Sequence, residues 1–314
     1  MIKQIGVVGL GTMGRSIVCC LLSSGHEIIA IEDNAEKRTQ AIPKITELVR
    51  QLIAQQIVIE PAEVLMGRLK TSDSISDLKG VECILETINE DIDRKKELFM
   101  LLEELIPHSA IIGSNTSAIP ISLLQSDLKN PERLIGIHWG EPAHISRFME
   151  VILGDQSSMV AADIILSHAV KWGKEPVLVK KDIKGFVANR LMYALFREAL
   201  YLVHNDYATI QDIDRACNND IGLWMGFAGP FRYMDLTGIT TYGKVMQHLL
   251  PDLSNEPEIP KSFQDIFNQR NQSIASFYSY SKEEKAEWER NFLGYSTEIK
   301  KLTDKYKLKI SEDE

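Results

Sequence analysis

The chain has 314 residues, a net charge of −9, 44% hydrophobic residues and 25% charged residues. This balance is ordinary for a globular protein of one or two domains, and the negative charge argues against a nucleic-acid or anionic-membrane surface. No apolar run reaches the ~20 residues that span a bilayer, and the first residues do not have the layout of a signal peptide. The four cysteines have the spacing of neither a disulfide scaffold nor a metal site. We therefore expect a cytoplasmic protein that holds no metal.

Strand and helix patterns alternate over the first 180 residues. Short apolar runs predict strands, and longer periodic stretches between them predict helices. The predicted strands are residues 2–8, 27–31, 69–72, 83–87, 110–114, 134–138, 148–153 and 177–180. From residue 184 onward only helical periodicity remains. The sequence therefore predicts an α/β protein, with a doubly wound Rossmann-type sheet in residues 1–183 followed by a smaller all-α domain in residues 184–314.

A glycine-rich loop follows the first predicted strand, and an apolar helix begins directly after it. The loop residues are Gly9, Leu10, Gly11, Thr12, Met13 and Gly14. Between a strand and a helix, the first two glycines let the backbone turn and approach a pyrophosphate, and the third lets helix and strand pack closely. The helix N-terminus then presents its N–H groups to the phosphates. This context predicts a dinucleotide site, with a tight turn that binds no nucleotide as the alternative.

Two acidic residues, Glu32 and Asp33, end the second predicted strand. A carboxylate at this position binds the adenosine ribose hydroxyls and repels a 2′-phosphate, so NAD is favoured over NADP. Because of its position on the strand, we assign this role to Glu32 rather than to its neighbour Asp33. His26 lies in the preceding helix-to-strand turn, away from the carboxyl ends of the strands, and is expected to be a surface residue.

Polar residues also follow later strands and begin the first helix after the sheet. Thr87 ends the fourth predicted strand, and Asn115 and Ser117 follow the fifth. Small polar residues at the carboxyl end of a parallel strand lie in the ligand crevice of an open α/β sheet, although Ser117 could instead cap the next helix. Asn189 shares a helix stripe with two aromatic residues, where its amide needs a ligand or a backbone partner.

Residues 134–152 contain two β-prone runs joined by a loop with glycine and proline. His138 ends the first run, and Glu150 shares one face of the second with Phe148 and Ile152. A carboxylate on an apolar face is costly without a partner, and His138 is the obvious partner if the second run folds back beside the first. A carboxylate-held imidazole at the mouth of a sheet is a tuned acid/base. A purely structural His–Glu pair is the alternative.

Taken together, these segments resemble the L-3-hydroxyacyl-CoA dehydrogenase family over nearly the full length of the chain. The motifs are GLGTMG at 9–14, ETINEDIDRKKELF at 86–99, SNTS at 114–117, the His138 to Glu150 segment, KGFVANRL at 184–191 and GPFRYMDLTG at 229–238. The resemblance implies that the first domain binds NAD. It also implies that the helical domain closes the substrate cleft and forms a homodimer.

The resemblance further implies a role for each matched residue. His138 is similar to the family's catalytic base, and Glu150 to its orienting carboxylate. Two residues match the family's hydrogen-bond partners of the reacting oxygen, namely Ser117 and Asn189. Three others match positions that line the NAD site, namely Glu90, Lys95 and Asn115. The implied reaction, part of fatty acid metabolism, interconverts a 3-hydroxyacyl-CoA and a 3-ketoacyl-CoA. His138 takes the proton of the 3-hydroxyl as hydride leaves the same carbon for the nicotinamide.

A departure from the family pattern after His138 keeps other substrates open. The family commonly has Asn-Pro in a run such as H-F-x-N-P, whereas this chain has Glu141-Pro142. An anion there repels a carboxylate or a CoA phosphate and attracts a cationic group, which puts the substrate in question. A free 3-hydroxy acid, such as a carnitine-like or sugar-acid substrate, is the alternative to a CoA thioester. A 3-hydroxyisobutyrate-type dehydrogenase is a further hypothesis, although residues 185–189 lack the lysine expected there. A non-catalytic NAD-binding sensor is the last.

Overall fold

The structure, a computed structural model, describes residues 2–268, 277–278 and 280–306. The chain divides into two compact units, residues 1–189 and 190–314. The first unit is built on one eight-stranded sheet. Its strands are β1 (Gln4–Val8), β2 (Glu27–Ile31), β3 (Leu69–Ser72), β4 (Cys83–Glu86), β5 (Ile111–Ser114), β6 (Leu134–Trp139), β7 (Phe148–Ile152) and β8 (Glu175–Val179).

The strand order is β3-β2-β1-β4-β5-β6-β7-β8. Neighbouring strands are parallel except for the antiparallel pair β6 and β7. The order reverses between β1 and β4, and in open α/β sheets ligands bind outside the carboxyl ends of the strands at such a point. The predicted doubly wound fold is thus observed. The residues that end β1, β2, β4, β5 and β6 share one edge of the sheet.

Helices cover the sheet. In the first unit they are α1 (Thr12–Ser23), α2 (Ala35–Ala54), α3 (Ala62–Met66), α4 (Ile92–Leu105), α5 (Ile121–Gln125) and α6 (Met159–Lys171). Apolar side chains of β4, β5 and β6 pack against those of α4 and α5, with Phe99 and Leu102 completely buried. The continuous apolar runs of the central strands are explained by this cover, because strands buried on both faces have no solvent side.

His26 is buried, which corrects the expectation of a surface position. Only 7% of the residue is exposed, and its Nε2 accepts a hydrogen bond of 2.7 Å from the indole N–H of Trp172. Trp172 follows α6, so the end of that helix covers the turn between α1 and β2. The sequence placed His26 correctly in the turn. It contained no local sign that a residue 146 positions away would cover it.

The second unit is helical, as predicted. Its helices are α7 (Ala188–His204, which begins two residues before the unit), α8 (Ile210–Ala216), α9 (Gly222–Ala228), α10 (Pro230–Thr237), α11 (Ile239–Leu249), α12 (Lys261–Asn268) and α13 (Lys282–Tyr306). No residue of α7 to α11 is buried. Large apolar side chains are among the most exposed, including Leu223 at 76% and Phe231 at 81%.

Candidate active site

The glycine loop joins β1 to α1 at the point where the strand order reverses. Gly9 has a φ of +99°, a conformation that favours glycine. A Cβ at Gly14 would lie 2.0 Å from the carbonyl oxygen of Gly9, whereas a Cβ at Gly11 would meet no described atom within 4 Å. The hydroxyl of Thr87, after β4, lies 2.8 Å from the Gly9 carbonyl and ties the loop to the next strand. The first and third glycines therefore shape the loop, and the second leaves its outer side open.

The end of β2 meets this loop through Glu32. One carboxylate oxygen of Glu32 accepts a hydrogen bond of 3.0 Å from the backbone N–H of Leu10, and the residue is 9% exposed. Asp33 points into solvent. Thr12 and Met13 begin α1, so their N–H groups belong to the helix N-terminus. The residues present fit a dinucleotide: an open glycine turn, unpaired helix N–H groups and a fixed carboxylate for ribose hydroxyls.

The other positions matched to the NAD site make contacts within the protein. Lys95 is 1% exposed, and its ammonium lies 2.6 Å from a carboxylate oxygen of the buried Glu86. Asn115 accepts a hydrogen bond of 2.9 Å from the backbone N–H of Trp139, the residue after His138. Glu90 accepts hydrogen bonds from backbone N–H groups of the turn after β5. We find these side chains holding the crevice walls together.

His138 and Glu150 face each other directly across the antiparallel pair β6 and β7. Their side chains form a hydrogen bond of 2.8 Å between Nδ1 of His138 and a carboxylate oxygen of Glu150. The other oxygen of Glu150 accepts the backbone N–H groups of Val187 and Ala188, each at 2.9 Å. Glu150 is completely buried. Burial raises its pKa, but the hydrogen bonds from His138, Ala188 and Val187 together outweigh burial and hold the pKa below its ordinary value. Glu150 is therefore an anion at neutral pH.

A tight turn delivers those two N–H groups. Gly185 and Phe186 have φ values of +80° and +49°, and such a conformation is strained for phenylalanine. The Phe186 ring is completely buried, with its centroid 6.0 Å from that of His138, and Phe148 lies edge-on to the same imidazole at 5.7 Å. The imidazole is thus fixed by a carboxylate and by two aromatic rings. Among the described residues its Nε2 has no hydrogen-bond partner, so this nitrogen is free for a substrate.

Ser117 and Asn189 lie together. The side-chain amide of Asn189 donates a hydrogen bond of 2.8 Å to the backbone carbonyl of Ser117. The Ser117 hydroxyl makes no hydrogen bond within the described part of the chain, and the residue is exposed. These contacts join the start of α7 to the turn after β5.

Sequence reasoning missed several groups that hold this site. The backbone N–H groups of Val187 and Ala188 are invisible to a search for reactive side chains. A signal existed in Gly185 followed by a helix start, because a helix N-terminus binds anions. Phe186 and the buried Glu86 were not singled out either. In residues 2–268, 277–278 and 280–306 we find no group of three His, Cys, Asp or Glu residues placed to bind a metal, and no helix with the length and hydropathy needed to cross a membrane.

Comparison with known proteins identifies the family. The NAD-binding domain of 3-hydroxyacyl-CoA dehydrogenase matches residues 4–183, and the C-terminal domain of the same enzyme matches residues 185–280. The chain belongs to the 3-hydroxyacyl-CoA dehydrogenase family. It is therefore an oxidoreductase of a family whose first domain binds NAD.

Individual relatives differ in substrate. The 5-formyl-3-hydroxy-2-methylpyridine 4-carboxylate 5-dehydrogenase of Mesorhizobium japonicum is 34% identical over 262 residues, covering 82% of this chain and 84% of that protein. A 3-hydroxybutyryl-CoA dehydrogenase of Clostridioides difficile is 30% identical over 259 residues, covering 80% and 89%. A crystal structure of a 5-formyl-3-hydroxy-2-methylpyridine 4-carboxylic acid 5-dehydrogenase, described as an NAD⁺-dependent dismutase, superposes with a TM-score of 0.90 at 30% identity and covers 97% of this chain and 99% of that one.

Proposed function

We propose that this protein is an NAD-dependent dehydrogenase in which His138 exchanges a proton with the oxygen of a hydroxyl or carbonyl substrate. The observation that carries the proposal is the 2.8 Å hydrogen bond between His138 and the buried Glu150. NAD, when bound, supplies the hydride acceptor. We propose that Glu32 and the glycine loop, residues 9–14, hold it.

The contacts of His138 determine how it would act. With Nδ1 donating to Glu150, the neutral imidazole carries its lone pair on Nε2, and that nitrogen takes the proton of the substrate hydroxyl. The anionic Glu150 then stabilises the imidazolium that results. Ser117 and Asn189 are proposed to donate hydrogen bonds to the reacting oxygen. In the reducing direction, the imidazolium returns its proton to the carbonyl oxygen.

We propose a free carboxylic acid rather than a CoA thioester as the substrate. Glu141 argues against the thioester, because an exposed anion in the loop after His138, where CoA-specific relatives commonly have a neutral amide, repels the phosphates of CoA. The same charge favours a free acid that also carries a cationic group, as a carnitine-like substrate does. The Mesorhizobium relative, named for a pyridine carboxylate, supports it as well. The thioester, interconverted between its 3-hydroxyacyl and 3-ketoacyl forms, is the competing substrate, favoured by the family name and by the 3-hydroxybutyryl-CoA relative.

A substrate panel tests the proposal. NADH oxidation would be measured with acetoacetyl-CoA and with free 3-keto acids. NAD reduction would be measured with 5-formyl-3-hydroxy-2-methylpyridine 4-carboxylate, whose aldehyde adds water to give the hydroxyl that is oxidised. We expect turnover of one or more free acids, at a kcat/KM above that for acetoacetyl-CoA. Preference for the thioester would contradict the substrate assignment. Tight NADH binding without turnover of any compound would favour the sensor hypothesis.

Variants at Glu141 separate charge from size. Glu141→Asn restores the family residue, and Glu141→Gln removes the charge while keeping the side-chain length. If the charge excludes CoA, both variants raise kcat/KM for acetoacetyl-CoA to a similar extent. An unchanged ratio of thioester to free-acid turnover in both variants would show that Glu141 does not select the substrate.

We also propose that the protein is a homodimer that forms through residues 190–314. The exposed apolar side chains of α9 and α10 support this, because a stable monomer rarely leaves so much apolar surface in water. Light scattering after size exclusion should give twice the chain mass, and Phe231→Lys should shift it toward the monomer. A wild-type monomer at all concentrations would refute the dimer.

We also propose a cytoplasmic setting for the protein. The four free cysteines support a reducing compartment of this kind.

A further inference from the structure

A buried ion pair lies beneath the crevice, between β4 and α4. Glu86 is completely buried, and its two oxygens accept hydrogen bonds from the backbone N–H of Ile88 at 2.7 Å, the ammonium of Lys95 at 2.6 Å and the hydroxyl of Ser114 at 2.7 Å. Breaking such a pair is costly, because it leaves an unpaired charge away from water. The position of the Lys95 ammonium is therefore fixed.

The same ammonium holds a second carboxylate. Nζ of Lys95 lies 3.4 Å from one oxygen of Glu90, whose side chain is 43% exposed. Lys95 thus links the fully buried carboxyl group of Glu86 to a carboxylate at the crevice surface. A solvent-exposed glutamate without such a link samples several rotamers, whereas this one is drawn toward a fixed charge.

The other oxygen of Glu90 holds the turn after β5. It accepts hydrogen bonds from the hydroxyl of Thr116, from the backbone N–H of Ser117 at 3.0 Å and from the backbone N–H of Ala118 at 3.3 Å. Three donors saturate this oxygen, so only the other oxygen, which faces Lys95, could accept a further hydrogen bond. The backbone of Ser117 is then held on both sides, since its carbonyl accepts the amide of Asn189 at 2.8 Å.

We propose that Glu90 and Lys95 are positioning residues that fix the Ser117 hydroxyl for the reacting oxygen, and that Glu86 acts through Lys95 in the same chain of contacts. The inference rests on the proposed function of Ser117. It differs from a role as direct NAD ligands. A positioning role places the effect of a substitution in the chemical step, whereas a ligand role places it in NADH affinity.

Three variants interrupt the chain of contacts. Glu90→Gln keeps the size of the side chain. An amide has only one oxygen, however, so if that oxygen accepts the hydrogen bonds of the turn, the NH₂ group faces the Lys95 ammonium and the attraction between the two side chains is lost. Glu90→Asp keeps the charge but is one methylene too short to span both partners. Glu86→Gln combined with Lys95→Met removes the link while leaving no unpaired buried charge. The matched controls are Glu97→Gln, at an exposed position of α4, and Lys96→Met, whose ammonium contacts Ser126 and Asp127 and takes no part in this chain of contacts.

Amide hydrogen exchange gives a readout that does not need a substrate. In Glu90→Gln we expect faster exchange at the N–H groups of Ser117 and Ala118, with unchanged exchange in the glycine loop, residues 9–14. Neither control should change either segment. Unaltered protection of residues 116–118 in Glu90→Gln would overturn the proposal, whatever the activity of the protein.

Kinetics then locate the effect in the reaction. We expect Glu90→Gln to lower kcat by roughly tenfold to hundredfold. This is at or below the loss expected for Ser117→Ala, since removing one preorganised donor costs about 10²- to 10³-fold in kcat. The NADH dissociation constant should stay within about twofold of wild type. In the Ser117→Ala background, Glu90→Gln should change kcat by less than about twofold, since the group it positions is gone.

The outcomes are distinguishable. Additive losses in the double variant, or a rise in the NADH dissociation constant with kcat unchanged, would overturn the positioning role while the dehydrogenase proposal stands. If wild type turns over no compound of the panel, the proposed function fails, and the exchange measurement alone decides whether Glu90 holds the turn.

Discussion

At the residue scale, the site is organised by carboxylates whose oxygens accept several hydrogen bonds from the protein itself. Glu150 accepts from one imidazole and two backbone N–H groups, and it remains an anion although it is completely buried. An orienting group of this kind needs a fixed charge, because a carboxylate stabilises the imidazolium that forms in the reaction and a neutral acid does not. The orientation of His138 as a candidate acid/base therefore depends on the two backbone N–H groups that hold Glu150.

Glu32 carries the cofactor prediction. Glu32→Ala removes the carboxylate that the Leu10 N–H holds beside the glycine loop. We expect the NADH dissociation constant to rise about tenfold to hundredfold, as for a lost hydrogen bond to a charged group. Fluorescence titration with NADH and NADPH measures this, with Asp33→Ala as the control for the exposed neighbour. A larger loss in the control, or equal affinity of wild type for both cofactors, would contradict the assignment.

His144 carries a prediction about pH and stability. Burial lowers its pKa to about 4, and the nearby Lys174 ammonium adds to the effect. In the unfolded chain the ordinary value is 6.5, so the unfolded state binds more protons and the free energy of unfolding falls as pH drops below 6.5 toward about 4. His26, whose pKa burial also lowers, contributes in the same direction.

We expect His144→Gln to lose part of this pH dependence. As the pH falls from 6.5 to 5, this single histidine lowers the free energy of unfolding by up to roughly 2 kcal/mol, since one pKa unit corresponds to about 1.4 kcal/mol. Denaturant unfolding of wild type, His144→Gln and the exposed-site control His108→Gln would be compared at both pH values. Equal losses of stability in wild type and His144→Gln would show that this imidazole is not buried in its neutral form.

At the scale of elements, the sequence predicted what depends on local pattern. Alternation and turn residues located the eight strands of the described sheet. The antiparallel pairing of β7 with β6 meets the condition under which His138 was expected to partner Glu150. The backbone N–H groups of Val187 and Ala188, at the entry to α7, could not be predicted as partners of Glu150. Every residue but proline carries such a group, and only the fold determines which of them meet a carboxylate. Glu86 was missed for a similar reason: its partner Lys95 lies on the following helix and its other partner, Ser114, on the next strand.

The packing of α1 on the glycine loop gives an element-scale prediction. Gly14→Ala would place a methyl group 2.0 Å from the Gly9 carbonyl, so α1 must move. We expect a loss of about 1–3 kcal/mol in stability together with weaker NADH binding. Gly11→Ala is the matched control, with stability kept but NADH affinity lowered, because its methyl would project into the open side of the loop. Wild-type NADH affinity and stability in Gly14→Ala would refute this account of the turn.

At the scale of the whole molecule, every side chain that we assign to chemistry belongs to residues 1–189. This unit carries the cofactor loop, the His–Glu pair and the turn of Ser117. The helical unit carries exposed apolar surface instead. The sequence predicted both classes of domain from the loss of strand signals after residue 180. The sequence could not identify the substrate, because Glu141 adds a negative charge after His138 but does not show which ligand binds there.

The most direct test of this account is His138→Gln, measured for both turnover and NADH binding. Glutamine cannot accept a proton at neutral pH, so kcat should fall about 10²- to 10⁴-fold, the usual contribution of a general acid/base. The NADH dissociation constant should stay within about twofold of wild type, since the contacts that His138 makes with described residues are to Glu150, Phe148 and Phe186 and not to the glycine loop. Wild-type turnover in His138→Gln would contradict the central claim, and the proton would then have to leave through another group.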